Sequence, residues 1–112
     1  MDALKLAAAA ADEKKARDLI ALDISEIASF ADCFLICTGD SSRQIQAIAD
    51  EIETRLKKAG LRPDHIEGYQ NAEWVVMDYF DLIVHIFSKT ARSYYDLERL
   101  WRDAVPVKLN FE

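Results

Sequence analysis

The sequence predicts a small α/β domain in which a mixed β-sheet is flanked by helices. An apolar run at Ala31–Thr38 shows little alternation, as expected for a central strand covered on both faces. A tight loop and an amphipathic helix follow it, which is half of a βα unit. Two β-rich segments, Trp74–Asp78 and Leu82–Phe87, are separated by a gap of hairpin length. The chain has 112 residues, and this length predicts one domain over residues 1–112.

The first elements follow from residue preferences. Residues 1–18 are predicted to form an N-terminal helix, because Ala, Lys and Glu dominate Leu4–Asp18 and favour helix. Leu19–Ile24 is a short apolar strand candidate. On the central strand, Cys33 and Cys37 share one face about 13 Å apart, which is too far for a disulfide. We therefore expect two buried structural thiols, as suits a reducing cytoplasm.

The second helix has the clearest pattern in the chain. Its apolar stripe has spacings of three and four residues and consists of Ile45, Ile48, Ile52 and Leu56. Ser41 and Gln44 have the spacing of a capping box, and Gly60 is placed to end the helix.

The last third of the chain adds three more elements. A short strand is predicted at Asp64–Glu67, followed by the hairpin. A helix is predicted at Ser93–Ala104, with Tyr94, Leu97, Leu100, Trp101 and Ala104 on one apolar stripe. We assign Trp101 of this stripe to the core. The C-terminal tail, residues 105–112, either pairs as an edge strand or stays free.

Charge and hydropathy restrict the class of partner. With 14 Lys and Arg against 20 Asp and Glu, the net charge is −6, which disfavours nonspecific nucleic-acid binding and favours a basic partner. The N-terminal segment lacks the features of a signal or transit peptide, and no apolar run is long enough to span a bilayer. We therefore expect a cytoplasmic protein with no membrane partner.

Three features resemble parts of catalytic sites, and each has a simpler structural interpretation. The loop Thr38–Ser42 could hold a phosphate at a helix start, but it is better interpreted as a helix cap. Asp78 and Asp81 resemble a metal-binding pair, yet they lack the usual spacing and an upstream Gly-Ser dipeptide. His85 could act as a general base, but its mid-strand position favours a hydrogen-bonded core or edge histidine. The sequence thus predicts no catalytic residue, metal site or cofactor.

The stretch from Pro63 to Ser88 has an unusual charge pattern. It contains five acidic residues and no Lys or Arg. The aromatic residues Tyr69, Trp74, Tyr79 and Phe80 also lie in this stretch. Aromatic residues ringed by acids form a plausible surface for binding a basic protein. Composition leaves open the alternative that Trp74 is core and the acids only promote solubility.

An ordered set of motifs resembles the ribosomal silencing factor (RsfS) family, also called Iojap-related. The resemblance runs from about Lys14 to Ala104. It rests on Ala31–Gly39, Ser42-Arg43-Gln44, Glu67-Gly68, Trp74–Asp78, Val84–Phe87 and Arg92–Trp101, which ends in a Tyr-Tyr-x-Leu-Glu-x-Leu-Trp pattern.

This resemblance implies a fold similar to that of nucleotidyltransferases, without catalytic residues, and a function that is not enzymatic. Family members bind the large ribosomal subunit at a basic protein on the intersubunit face and sterically block the small subunit. The resemblance also allows a homodimer and an edge contact with ribosomal RNA. The competing hypothesis is a metal-dependent nucleotidyltransferase-like enzyme that uses Asp78 and Asp81.

Carried over by position, the resemblance gives the expected partner-binding residues. These are Trp74, Asp78, Tyr79, Lys89, Arg92 and Tyr94. Trp74 would be the apolar anchor, Asp78 would meet a basic side chain, and Tyr79 would supply flat contact area. One departure is Phe80, where the family usually has glycine in the hairpin turn, so either the turn type differs or the ring is displayed at the tip. The whole interpretation requires that the acidic hairpin stretch is open to solvent.

Overall fold

The computed structural model describes residues 2–109, which form a six-stranded mixed sheet with helices on both faces. The spatial order of the strands is β3-β4-β5-β2-β1-β6. In chain order the elements are α1 (Asp2–Glu13), β1 (Arg17–Asp23), β2 (Cys33–Gly39), α2 (Ser42–Lys58), β3 (His65–Glu67), β4 (Trp74–Asp78), β5 (Leu82–Ser88), α3 (Lys89–Tyr95), α4 (Leu97–Leu100) and β6 (Val105–Val107). The predicted fold class is confirmed.

Strand β2 is the centre of the molecule, as the unbroken apolar run predicts. All seven of its residues are buried. It runs parallel to β5, from the pair Cys33 and Leu82 to the pair Gly39 and Ser88, and antiparallel to β1. Helices α1 and α2 cover the face that carries Cys33, Leu35 and Cys37, whereas α3 and α4 cover the face that carries Phe34 and Ile36.

The ends of α2 confirm the capping signals. Ser41 Oγ accepts a hydrogen bond from the Gln44 backbone N–H at 3.1 Å, while Gln44 Oε1 accepts from the N–H of Asp40. At the other end, Gly60 has a φ of 86°. The Gly60 N–H donates to Lys57 at 2.9 Å and the next N–H donates to Leu56 at 2.8 Å. This pair of bonds is a Schellman motif, which requires the left-handed residue that glycine provides.

The N-terminal helix is shorter than the predicted 1–18. It ends at Glu13, the backbone reverses through Lys15 at a φ of 66°, and Arg17 already pairs with Thr38 of β2. The side-chain amide of Gln44 donates to the carbonyls of Lys14 and Lys15 and so holds this turn. Hydrogen bonding to the central strand therefore outweighs the helix preference of residues 14–18.

The predicted single helix at Ser93–Ala104 is wrong. Helix α3 begins earlier, with Ser88 Oγ accepting from the Ala91 N–H at 3.1 Å, and Asp96 interrupts it at a φ of 47°. The break rotates the chain, so the predicted stripe splits: Leu97 is buried, whereas Leu100 is 73% exposed. Trp101 is half-buried and packs edge-on against Phe34 at 5.2 Å between ring centroids, so it borders the core instead of lying within it as predicted.

Of the two alternatives for the tail, the edge strand is observed. Val105–Val107 forms β6, which pairs antiparallel with β1. The final residues of the predicted tail, 110–112, lie outside the described residues. Across residues 2–109, no helix combines the length and apolarity needed to cross a bilayer.

Candidate functional site

The β4–β5 hairpin presents one face to the core and leaves the other partly open. Val75 and Met77 of β4 are fully buried on the side of α1 and α2. The alternate residues Trp74, Val76 and Asp78 point the opposite way and are half-buried. Helix α3 packs on that side against β5 and β2. We call these three outward residues of β4 the open face.

Trp74 is held on the open face by aromatic neighbours and one hydrogen bond. Its ring stacks on Phe87, with centroids 5.1 Å apart, and meets Tyr95 of α3 at 4.5 Å. Its indole N–H donates to Nδ1 of His85 at 3.1 Å. The ring is therefore fixed in orientation while part of its surface stays accessible.

His85 is a buried, neutral acceptor. It is 6% exposed, and its ring meets Phe34 edge-on at 4.7 Å. Burial lowers the pKa of His85 to about 4. Since Nδ1 accepts from Trp74, the ring proton resides on Nε2, which has no hydrogen-bond partner among residues 2–109. This confirms the interpretation of His85 as a hydrogen-bonded core histidine.

A continuous row of aromatic contacts extends from the open face in both directions. At one end, Tyr94 is 80% exposed and meets Tyr95 edge-on at 5.0 Å. At the other end, the exposed ring of Phe30 contacts Trp101 at 5.8 Å. In order, the row is Tyr94, Tyr95, Trp74, His85, Phe34, Trp101 and Phe30. Exposed aromatic area at both ends, connected through a buried centre, is suited to protein recognition.

The charge beside the open face is acidic. Asp78 Oδ1 accepts from the Phe80 N–H at 2.8 Å, and its Oδ2 lies 3.9 Å from Nδ1 of His65 on β3. His65 also contacts Asp64 and Glu67, each at 3.0 Å. The hydrogen bond that the Asp64 carboxylate accepts from the His65 ring, together with the nearby charges of Glu67 and Asp78, raises the pKa of His65. Even with this histidine protonated, the carboxylates outnumber it, so the surface favours a cationic partner.

Ligand atoms of Asp64, His65 and Asp78 lie within 4.8 Å of one another, a spacing that could hold a metal ion. All three side chains are at least partly exposed, and their mutual hydrogen bonds and ion pairs account for the arrangement. Asp81, the second acid of the nucleotidyltransferase hypothesis, does not belong to this group. The predicted pairing of Asp78 with Asp81 as metal ligands therefore gains no support within residues 2–109.

The expectation that Tyr79 is exposed is wrong. Its side chain is 7% exposed and lies in the core cluster on the α1–α2 side, because it follows Asp78 and so points to the opposite face. Its hydroxyl has no hydrogen-bond partner in the described part of the chain. Burial, together with the nearby charge of Glu53, raises the pKa of Tyr79 to about 12. In the acidic hairpin stretch, the Trp74 side chain is thus partly exposed to solvent, whereas the Tyr79 side chain is buried.

Lys89 and Arg92 lie in the first half of α3. Lys89 is exposed. Arg92 is largely buried and donates to the Asp18 carbonyl at 2.7 Å, to Thr38 Oγ1 at 2.9 Å, and through two nitrogens to Glu98 Oε2. Arg92 therefore ties the sheet to α3 and α4.

Of the six predicted partner-binding residues, the structure brings three to one side: Trp74, Asp78 and Tyr94. Sequence reasoning missed Tyr95 and Phe30 as surface residues. The Tyr-Tyr pair in the sequence is a signal for Tyr95. The predicted uninterrupted helix, however, gave no reason to expect Tyr95 to contact Trp74. No local signal identifies Phe30, which lies in the connection between β1 and β2 and contacts Trp101 from a distant part of the chain.

A family model described as "Ribosomal silencing factor during starvation" matches residues 1–112. The ribosomal silencing factor RsfS of Bacillus subtilis is 49% identical over 108 residues, covering 96% of this chain and 92% of the relative. A crystal structure from Bacillus halodurans has a TM-score of 0.86 and 42% identity, covering 96% of this chain and 98% of that one. An X-ray structure from Chromobacterium violaceum has a TM-score of 0.88 and 35% identity, covering 99% and 92%.

Proposed function

Because the chain belongs to the ribosomal silencing factor family, we propose that it represses translation by occupying the large ribosomal subunit. It binds a basic large-subunit protein at the intersubunit face, and the bound factor excludes the small subunit. It acts in the cytoplasm and catalyses no reaction. The observation that supports this best is the open face, where Trp74 is fixed but accessible among acidic side chains.

The aromatic side chains supply affinity. A standard interface buries about 800 Å² per partner, and a few aromatic anchors carry most of its binding free energy. Trp74 is the anchor, and Tyr94 and Tyr95 add flat area with little loss of side-chain freedom. Tyr79 supports the hairpin from the core side.

The acidic side chains supply steering and register. Asp78 is pre-oriented by the Phe80 N–H, and its other oxygen, 3.9 Å from Nδ1 of His65, can exchange that neighbour for a basic side chain of the partner. Opposite charges across an interface raise the association rate and disfavour wrong partners. Arg92 holds α3 in place through its bonds to Asp18 and Thr38.

Silencing by occupancy needs no reaction. It requires that the bound factor and the small subunit occupy overlapping positions on the large subunit. The factor must also stay bound under the conditions in which the subunits join. Added salt should weaken the association, because part of the recognition is between exposed charges.

The test is a sucrose gradient of purified subunits with and without the protein. Saturating protein should reduce the joined particle, and Trp74→Ala should restore it. The matched control is Leu61→Ala, which truncates a partly exposed apolar side chain just after α2, on the other side of the sheet. An unchanged profile with the unaltered protein would refute silencing, whereas full activity of Trp74→Ala would refute the open face as the binding surface.

The family resemblance also allows a homodimer, which we propose to compete with ribosome binding if it uses the open face. Light scattering on the purified chain distinguishes monomer from dimer. If a dimer forms, Trp74→Ala should shift it to monomer; a dimer that persists must use another surface.

A further inference from the structure

The helices that follow the two central parallel strands pack on opposite faces of the sheet. Strands β2 and β5 are adjacent, parallel and aligned to Gly39 and Ser88 at their carboxyl ends. Helix α2 leaves β2 towards the face of Leu35 and Cys37, whereas α3 leaves β5 towards the face of Phe34. In open α/β sheets, the crevice where helices diverge in this way is the usual place for a ligand.

A surface cavity lies at this point. It is lined by Arg17, Asp18, Thr38, Asp40, Lys89, Arg92 and Ser93. Three of these residues are cationic and two are acidic, in a chain whose net charge is −6. The lining therefore carries one more positive than negative charge, although Arg92 also pairs with Glu98, and no residue of the open face lines the cavity.

The three cationic side chains differ in how strongly they are already bound to other residues. Arg92 is fixed by the Asp18 carbonyl, Thr38 and Glu98, so its charge is held at the base of the crevice. Arg17 pairs with Asp40 at 3.0 Å, and both side chains are more than half exposed. Lys89 forms no ion pair within residues 2–109. In the crevice, Lys89 is therefore available to bind an anion, and Arg17 can do so if its exposed ion pair with Asp40 opens.

We propose that this crevice binds a small phosphorylated molecule. Its phosphate contacts Lys89 and replaces Asp40 as the ion-pair partner of Arg17. The exposed Ser93 hydroxyl at the lining provides a further polar contact. The acidic net charge favours a small ligand over a long polyanion, because a polyanion is repelled by the whole surface while a small phosphate responds mainly to the nearest charges.

The test is calorimetric titration of the full chain with inorganic pyrophosphate and, separately, with ADP. A single saturable site is expected, with amide shifts in NMR spectra centred on Thr38 and Ser93. Lys89→Gln should weaken binding about fivefold. Asp40→Asn should tighten it, because Arg17 then loses its competing carboxylate. The control is Lys58→Gln, an exposed cation in the last turn of α2, which should change nothing.

The absence of saturable binding by both probes would overturn the proposal, and so would equal weakening by Lys58→Gln and Lys89→Gln. A third arm uses a short single-stranded RNA. Tighter binding of RNA than of pyrophosphate or ADP at the same residues would assign the crevice to RNA and overturn the small-ligand proposal. Circular dichroism of each variant verifies folding. No ribosome is present in the assay, so its result is independent of the proposed silencing function.

Discussion

Trp74 Nε1 donates to His85 Nδ1 at 3.1 Å across the β4–β5 pair. The two residues are diagonal neighbours, because Trp74 lies opposite Phe87 and His85 lies opposite Val76. A partly exposed indole is thereby oriented by a buried ring that stays neutral near pH 7. The bond explains why a polar side chain occupies a mid-strand position in an otherwise apolar face.

Replacing His85 by Phe should disturb Trp74 specifically. We expect the free energy of unfolding to fall by about 1–2 kcal/mol, because the indole N–H loses its acceptor. Urea denaturation measures this. A double-mutant cycle with Trp74→Phe, which removes the same donor, should show coupling of at least about 0.5 kcal/mol. Strict additivity would mean that the bond contributes nothing to stability.

The stability of the protein should decrease in acid through His85. Its folded pKa of about 4 lies below the ordinary value of 6.5, so the unfolded chain binds the proton first as pH falls. The contribution of His85 to the free energy of unfolding is thus fully present above pH 6.5. It decreases by roughly 3 kcal/mol as the pH falls from 6.5 to about 4. Urea titrations at several pH values, compared with His85→Phe, isolate this loss. An equal decrease in the variant would exclude His85 as its source.

Tyr79 and Tyr94 should respond in opposite ways to substitution. Tyr79→Phe removes a buried hydroxyl without a described partner, so we expect stability to stay equal or rise by about 1 kcal/mol, with subunit joining still blocked. Tyr94→Ala removes a ring that is 80% exposed, so stability should change by less than about 0.5 kcal/mol while blocking weakens. Loss of blocking by Tyr79→Phe alone would restore Tyr79 as a contact residue.

Gly68 and Gly60 form a matched pair of positive-φ glycines. A Cβ at Gly68 would lie 2.0 Å from the Trp74 carbonyl oxygen, whereas at Gly60 nothing lies within 4 Å. Gly60→Ala should therefore cost about 1 kcal/mol from backbone strain alone. Gly68→Ala should cost more than about 3 kcal/mol, because the turn before β4 must also move. Thermal unfolding of both variants checks the order, which equal costs would contradict.

The turn residue Phe80 has a φ of 71° and its ring is 61% exposed, so the turn keeps its left-handed position and also displays the side chain. Phe80→Gly should stabilise the hairpin by about 0.5–1 kcal/mol, because strain is relieved at some entropic cost. Phe80→Ala should bring no such gain, since alanine keeps a Cβ at the same φ. Equal effects of the two substitutions on the unfolding free energy would show that the turn is not strained.

Local signals predicted the elements whose patterns are self-contained. The apolar run of β2, the stripe and caps of α2 and the β4–β5 hairpin all match their sequence signals closely. Errors occurred where a distant contact or a single left-handed residue decides the conformation. The end of α1 depends on Arg17 pairing with Thr38, and the break in the last helix depends on Asp96 adopting a left-handed conformation.

The candidate surface was predictable only in part. The charge pattern drew attention to the right strands, and the family resemblance selected Trp74 and Asp78. Alternation along the strand then separates Tyr79 from Asp78, an effect that a count of aromatic residues does not include. The contact of Tyr95 with Trp74 joins residues from two elements, and no local pattern specifies it.

The parallel pairing of β2 with β5 has a consequence for synthesis. The apolar run of β2 is complete by Gly39, but its neighbour on one side begins at Leu82. A nascent or cleaved chain that stops before that point exposes an unpaired, strongly apolar strand edge. Such fragments should aggregate unless a chaperone shields them, so the protein becomes safe from self-association only late in its own translation.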